Sequence, residues 1–339
     1  MIFNKASGFK AKDDRTVVLR LFLIAGKRKD FVMESQRREK KMHAVSKRTE
    51  NFKDFLCVVP ALAFLCVFTY YPVVNLFNIS FTNWNLVNDS YKYVGLKNYK
   101  WLFTGSGFGQ WTSSLRITLL YTIGEIFLTL VGGILLAVLF NHESRGFSFM
   151  RGIVFMPKYI AVSTSAVVFI WILNKDYGIL NYILQFFGID KVDWLNTQST
   201  ALGSVLMLTG WRVVGYGMIM YLSALKGLSP DYYEAASLDG ANSFQKFWYI
   251  TIPLLSPTTL FLLITTLISS MKVFQSIDIM TGGGPYESTN VMVYWIYHLG
   301  FVDFRIDHAS AVSVVFFLIL LTLTSLTMKS SDKKVHYDS

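Results

Sequence analysis

Two ionisable residues, Glu125 and Arg212, stand deep inside apolar stretches of this 339-residue chain. A charge in apolar surroundings is expensive, and where one is kept it marks a pathway, a pairing or a ligand contact. Each lies about ten residues from the end at which its stretch would enter from one common side, so both sit at similar depth and an ion pair is within reach. Truncating one partner of a buried pair typically costs about 3–5 kcal/mol. Catalytic chemistry is otherwise absent from the pattern. The five histidines are scattered without metal-ligand spacing, and no Gly-rich phosphate loop followed by Lys and Ser or Thr is present. Cys57 and Cys66 share one apolar stretch, about 13 Å apart along a helix, too far to bridge. No catalytic residue, cofactor or metal site is expected.

The elements that position such residues follow from composition. Hydrophobic residues make up 53% of the chain and charged ones 16%, against about 25% charged in soluble domains. A helix needs about twenty mostly apolar residues to cross a bilayer. Six stretches qualify: Phe55 to Ile79, Ile117 to Phe140, Gly152 to Leu173, Ala201 to Ala224, Pro257 to Ser276 and Ala309 to Met328. With no water in the hydrocarbon core each must pair its own backbone groups, so an all-α protein with six transmembrane helices is expected.

The net charge of +10 is concentrated: 15 of the 32 Lys and Arg residues precede Asp54. Basic residues interleaved with aromatics on a folded face, as nucleic acid would require, are missing. Counting Lys and Arg in the connecting segments places both termini, Asn141 to Arg151 and Leu225 to Ser256 on the cytoplasmic side. Residues 1–54 read as a basic cytoplasmic tail, disordered or begun late at Met33 or Met42, with a membrane-surface amphipathic role as the alternative. Val17 to Gly26 is too short to span and is broken by Arg20. Residues 55–328 form the membrane domain, with a cytoplasmic loop at 225–256, and 329–339 a second cytoplasmic tail.

That loop carries the strongest local signals. Ser229 is a good N-cap and Pro230 a good first helical residue. Asp231 and Glu234 then place negative charge at the positive end of the helix dipole. Ala235 and Ala236 are strong helix formers that let another surface approach the backbone. Gly240 fits the left-handed residue just past a helix end. Asn242 or Ser243 can cap a second short helix, Phe244 to Thr251, and Pro253 and Pro257 mark the entry to the next span. A helix–turn–helix knob is expected.

Glu234-Ala235-Ala236, then Gly240, then nine residues to Ile250-Thr251-Ile252-Pro253, resembles the EAA loop of permease subunits of binding-protein-dependent ABC importers. Every fixed position matches, with Ile252 in place of the usual Leu. Further pieces resemble the carbohydrate-uptake subfamily: Phe81-Thr82-Asn83-Trp84, Val94-Gly95-Leu96-Lys97-Asn98-Tyr99, Phe155-Met156-Pro157, Asp176-Tyr177-Gly178 with Asn181, Asp193-Trp194-Leu195 and Thr281-Gly282-Gly283-Gly284-Pro285.

The resemblance implies the type I ABC importer permease fold in the plasma (inner) membrane, importing an oligosaccharide or disaccharide, with glycerol phosphate or another polyol derivative as the alternative. It also implies a heterodimer with a second homologous permease, separate ATPase subunits and an extracytoplasmic solute-binding protein. Glu234, Ala235, Ala236, Asp239, Gly240, Ile250 and Pro253 would seat the loop in the ATPase. The spans flanking the loop would line the central cavity, which makes Trp211, Arg212, Tyr216, Thr266, Ser269 and Ser270 the candidate substrate path. Arg212 could then contact sugar or simply hold register with Glu125. Lys272 is read as snorkelling outward to the headgroups. An ion-coupled secondary transporter would carry internal repeats or paired midplane acids, and a scaffold would need no such loop.

Overall fold

The computed structural model describes residues 54–85, 87 and 90–331. The expectations for the basic tail and for Val17 to Gly26 lie outside the described residues, as does the C-terminal tail beyond Ser331. The chain divides into two units at Val73 and Val74. The first holds the early turns of helix α1 (Asp54–Ile79), which is apolar along its length and loosens at Cys66–Tyr70, just ahead of Pro72. Proline lacks the N–H for the regular ladder, which accounts for the wider turn.

Among the described residues the regular elements of the second unit are helices, joined by turns and irregular segments, with one isolated bridge between Thr82 and Tyr93. Its helices are α2 (Lys97–Thr104), α3 (Phe108–Leu139), α4 (Arg145–Tyr159), α5 (Val162–Ile172), α6 (Ile179–Phe186) and α7 (Ala201–Gly227). They continue as α8 (Pro230–Leu238), α9 (Ser243–Leu254), α10 (Ser256–Met271), α11 (Gln275–Met280), α12 (Met292–Val302) and α13 (Ile306–Ser331). Among the described residues α1, α3, α7 and α13 are each long and apolar enough to cross a membrane, and the bent pairs α4–α5 and α9–α10 raise the number to six.

Two expected spans need correction. Gly152 to Leu173 is not one helix: α4 and α5 meet at 103°. Pro157 offers no N–H to the preceding turn, the chain tightens at Met156–Tyr159, and Ile160 and Ala161 are extended. Pro257 to Ser276 is also interrupted. The entry expected at Pro253 and Pro257 is a 62° bend between α9 and α10 around the buried Leu255, ahead of that span. Helix α10 then ends at Met271, and α11 begins only at Gln275.

Helix α7 is the centre of the packing. It lies against α3, α4, α5 and α10, and twelve of its residues are buried. It meets α3 backbone to backbone: a Cβ on Gly133 would sit 2.8 Å from the carbonyl carbon of Gly217. Small residues at such crossings let helices approach closely in lipid. Two apolar clusters include α7 side chains, one around Tyr121, Leu208 and Ile277 and one around Tyr221, Leu255 and Leu262, and a third lies around Met271, Met292 and Val312.

The polar motifs between helices act as ties. Asn98 Nδ2 donates to the carbonyls of Ser80 (2.9 Å) and Thr82 (2.8 Å). Asn181 donates to the carbonyls of Lys175 (3.0 Å) and Val192 (2.8 Å) and accepts from Trp194 Nε1 at 2.9 Å. Thr289 Oγ1 closes the glycine run by donating to the Gly284 carbonyl at 2.8 Å. Buried amides satisfied in this way hold irregular segments in one arrangement.

Gly217→Val should lower stability by about 1–3 kcal/mol, because the added carbons meet the α3 backbone. Gly203→Ala, on the same helix with open space around it, should leave the thermal midpoint in detergent unchanged or raised. Equal midpoints for the two variants would contradict the close α3–α7 crossing.

Candidate functional site

The site is an open cavity of about 470 Å³ lined by six helices, a size that suits a small ligand. Helix α3 contributes Tyr121 and Glu125, one turn apart and both buried. Lys158 comes from the last turn of α4, Val162 from α5 across the break, Arg212 from the middle of α7, Ser269 from α10, Lys272 from just past its end, and Ser276 from α11. Two interruptions border this space, one between Tyr159 and Val162 and one between Met271 and Gln275.

The polar groups are tethered differently. Tyr121 Oη shares a 2.8 Å hydrogen bond with Thr209 Oγ1, which joins α3 to α7. Arg212 Nη2 donates to the carbonyl of Ile160 at 3.2 Å, so the guanidinium caps a backbone group freed by the α4–α5 break. Its Nε is buried with no hydrogen-bond partner. The ammonium of Lys158 lies 4.9 Å from the centre of the Tyr216 ring, a cation–π arrangement. Among the described residues Glu125, Lys158, Arg212 and Lys272 form no ion pair within 4.0 Å. Glu125 and Arg212 therefore face one cavity without pairing directly, which corrects the expected contact.

The other expected path residues scatter. Ser269 lines the cavity and Tyr216 supports Lys158 from beside it. Trp211 is partly exposed and packs on Phe169 at 5.5 Å between ring centres. Thr266 and Ser270 are buried away from the cavity, and the Ser270 hydroxyl donates to the Leu267 carbonyl of its own helix at 3.1 Å. Lys272 stands on the cavity wall, against the expectation that it reaches outward. Lys158 was missed, although it is a charge inside an apolar stretch just as Glu125 is.

A second feature is the knob of α8 and α9. Ser229 caps α8 by accepting from the Asp231 N–H at 3.3 Å. Gly240 follows at φ +79°, in the left-handed region, and the N–H of Ala241 returns to the Ala236 carbonyl at 2.9 Å. Asn242 and Gln245 form a reciprocal capping box at the start of α9. Lys246 Nζ donates to Ser237 Oγ at 2.6 Å, and Tyr233 Oη pairs with Thr251 Oγ1 at 3.0 Å. Glu234, Ala235 and Asp239 are exposed, while Ala236, Ile250 and Pro253 are partly buried. Leu238 is 90% exposed and Tyr249 79%.

A bundle of apolar helices enclosing a charged cavity and projecting a stiff two-helix knob is the architecture of a membrane permease. Residues 129–337 match the family described as the binding-protein-dependent transport system inner membrane component, and the chain belongs to that family. It is 34% identical to a probable ABC transporter permease, YurN, of Bacillus subtilis, over 81% of this chain and 94% of that one. It is 31% identical to the trehalose/maltose transport permease MalF of Thermococcus litoralis, over 81% and 92% respectively. To the sn-glycerol-3-phosphate transport permease UgpA of Agrobacterium fabrum it is 29% identical, over 84% and 96%. A crystal structure of a bacterial ABC transporter involved in alginate import shares the fold, with a TM-score of 0.74 at 24% identity over 84% of this chain and 96% of that one.

With no direct Glu125–Arg212 contact, a double-mutant cycle of Glu125→Gln and Arg212→Gln, read as thermal stability in detergent, should give a coupling below about 0.5 kcal/mol. Residues in contact couple by about 0.5–3 kcal/mol, and a value near the top of that range would restore the ion pair.

Proposed function

We propose that the chain is one of two homologous permease subunits in an ATP-driven importer of carbohydrate, an oligosaccharide or disaccharide. The observation that carries this reading is the knob. Two short helices are locked by a cap, a capping box and a left-handed glycine, yet they leave Leu238, Phe244 and Tyr249 largely exposed. Bulky apolar side chains on a rigid, otherwise polar projection fit a surface that a partner covers. The partner is a separate ATPase, which carries the hydrolytic chemistry and engages the knob through Glu234, Ala235, Ala236, Asp239, Gly240, Ile250 and Pro253.

In this reading both termini, the 225–256 loop and the 329–339 segment face the cytoplasm, and residues 55–328 are the membrane domain. A solute-binding protein delivers the sugar outside. ATP closes the ATPase dimer, the two permeases move apart on their outer side, and hydrolysis returns them. The trehalose/maltose relative supports the sugar, and the glycerol phosphate relatives support a polyol phosphate as the second reading of the same machinery. Arg212 and Ser269 on the cavity wall are the path residues of the original set, and Tyr216 acts through Lys158.

Uptake of radiolabelled oligosaccharides and polyol phosphates in cells carrying the intact operon tests this, beside cells with Gly240→Pro. Proline fixes φ near −65° where Gly240 stands at +79°, and it removes the N–H that reaches the Ser237 carbonyl at 3.1 Å. Uptake of one sugar should fall at least tenfold with the subunit still in the membrane. Unchanged uptake in the variant would reject coupling through the knob.

A further inference from the structure

Charge is sparse in the membrane part of this chain and is gathered in one place. The six apolar stretches hold only three Lys or Arg residues, Lys158, Arg212 and Lys272, and one acidic residue, Glu125. They come from four different stretches, separated by up to 147 positions in sequence, and all four line the same cavity. Charges kept for registry alone would sit as contacting opposite pairs, because an unpaired charge in apolar surroundings is costly. Here the cations outnumber the carboxylate three to one, and none of them is in an ion pair among the described residues. Arg212 keeps its Nε buried and without a partner, while its Nη2 is held by the Ile160 carbonyl. The guanidinium is held at one nitrogen by the break and lines the cavity beside Lys158 and Lys272, and a planar guanidinium so placed is suited to an oxyanion. Tyr121, Ser269 and Ser276 add hydroxyl groups to the same wall.

We propose that the solute passing this cavity is an anionic carbohydrate derivative, whose carboxylate or phosphate is received by Lys158, Arg212 and Lys272. This rests on the importer reading above and narrows its substrate class. Two sources share the chemistry, a uronate-containing oligosaccharide and a phosphorylated polyol. In either case the excess positive charge of the cavity draws the anion in, and hydroxyl-bearing side chains meet the rest of the molecule. Glu125 limits the excess, so that the anion is received but not trapped.

The test is equilibrium binding to the purified assembly of both permeases and the ATPase, without the solute-binding protein, so that the pore alone selects. The probes are tetragalacturonate, glycerol 3-phosphate and neutral maltotetraose, titrated by calorimetry. One anionic probe should bind at least tenfold more tightly than the neutral one, and which one does so identifies the source. The preference should weaken with added salt, disappear in Lys158→Gln and Arg212→Gln, and survive in Lys158→Arg, which separates charge from folding. A neutral probe bound as tightly as both anions, binding of none of the three, or a preference unchanged in Lys158→Gln would overturn the proposal. Continued uptake of a neutral sugar by the same operon would then leave the importer reading standing. Loss of all carbohydrate uptake in wild-type cells would remove both.

Discussion

The close crossing of α3 and α7 at Gly133 and Gly217 is the contact on which the rest of this structure depends. In lipid there is no hydrophobic gain in bringing two apolar helices together, so contact must come from packing and hydrogen bonds. At this crossing the backbones themselves touch. Further along the pair, Tyr121 and Thr209 add a buried hydrogen bond between the same two helices. These contacts fix the relative height of Glu125 and Arg212, and they make α7 the axis against which the broken third and fifth segments are placed.

The breaks supply the function that straight helices could not. An interrupted helix in a membrane leaves backbone groups that must be paired within protein or line a polar space. Here Arg212 takes the Ile160 carbonyl at the α4–α5 break, and Lys272, just past the end of α10, lies on the same cavity. A structural tie and a piece of the cavity wall thus meet on one side chain, since Arg212 holds the break through Nη2 and also lines the cavity. The knob lies on the chain between α7 and α10, both of which reach the cavity. In the proposed reading, movement of the knob by the ATPase would reach the cavity walls through these two covalently attached helices.

Much of this was legible because its signals are local or compositional. Ser229, Pro230, Gly240 and Asn242 each name a cap or a turn, and the structure uses each one there. Apolar length marked the membrane segments. The turn at Leu255 was announced by Pro253 and Pro257, but the interruptions at Ile160 and after Met271 were not legible, because the residues around them are largely apolar and only Pro157 hints at a change of direction. The inward face of α10 was misread for a related reason. In a helix that is apolar all round, a serine such as Ser270 satisfies itself on its own backbone, so a hydroxyl does not declare which way a lumen lies. Charge was the better guide, and Lys158 should have been weighed with Glu125 and Arg212 on cost alone.

The central claim, that the knob is seated in an ATPase on the cytoplasmic side, is tested most directly by cross-linking. A single cysteine at Leu238, with Cys57 and Cys66 replaced by serine, would carry a short bifunctional reagent in membranes from cells expressing the whole assembly. The account predicts a covalent product with the ATPase subunit whose yield changes when ATP is added. A control cysteine at Phe301, exposed on α12, should give none. Absence of that product at Leu238, with the assembly intact and the cysteine reactive, would contradict the account.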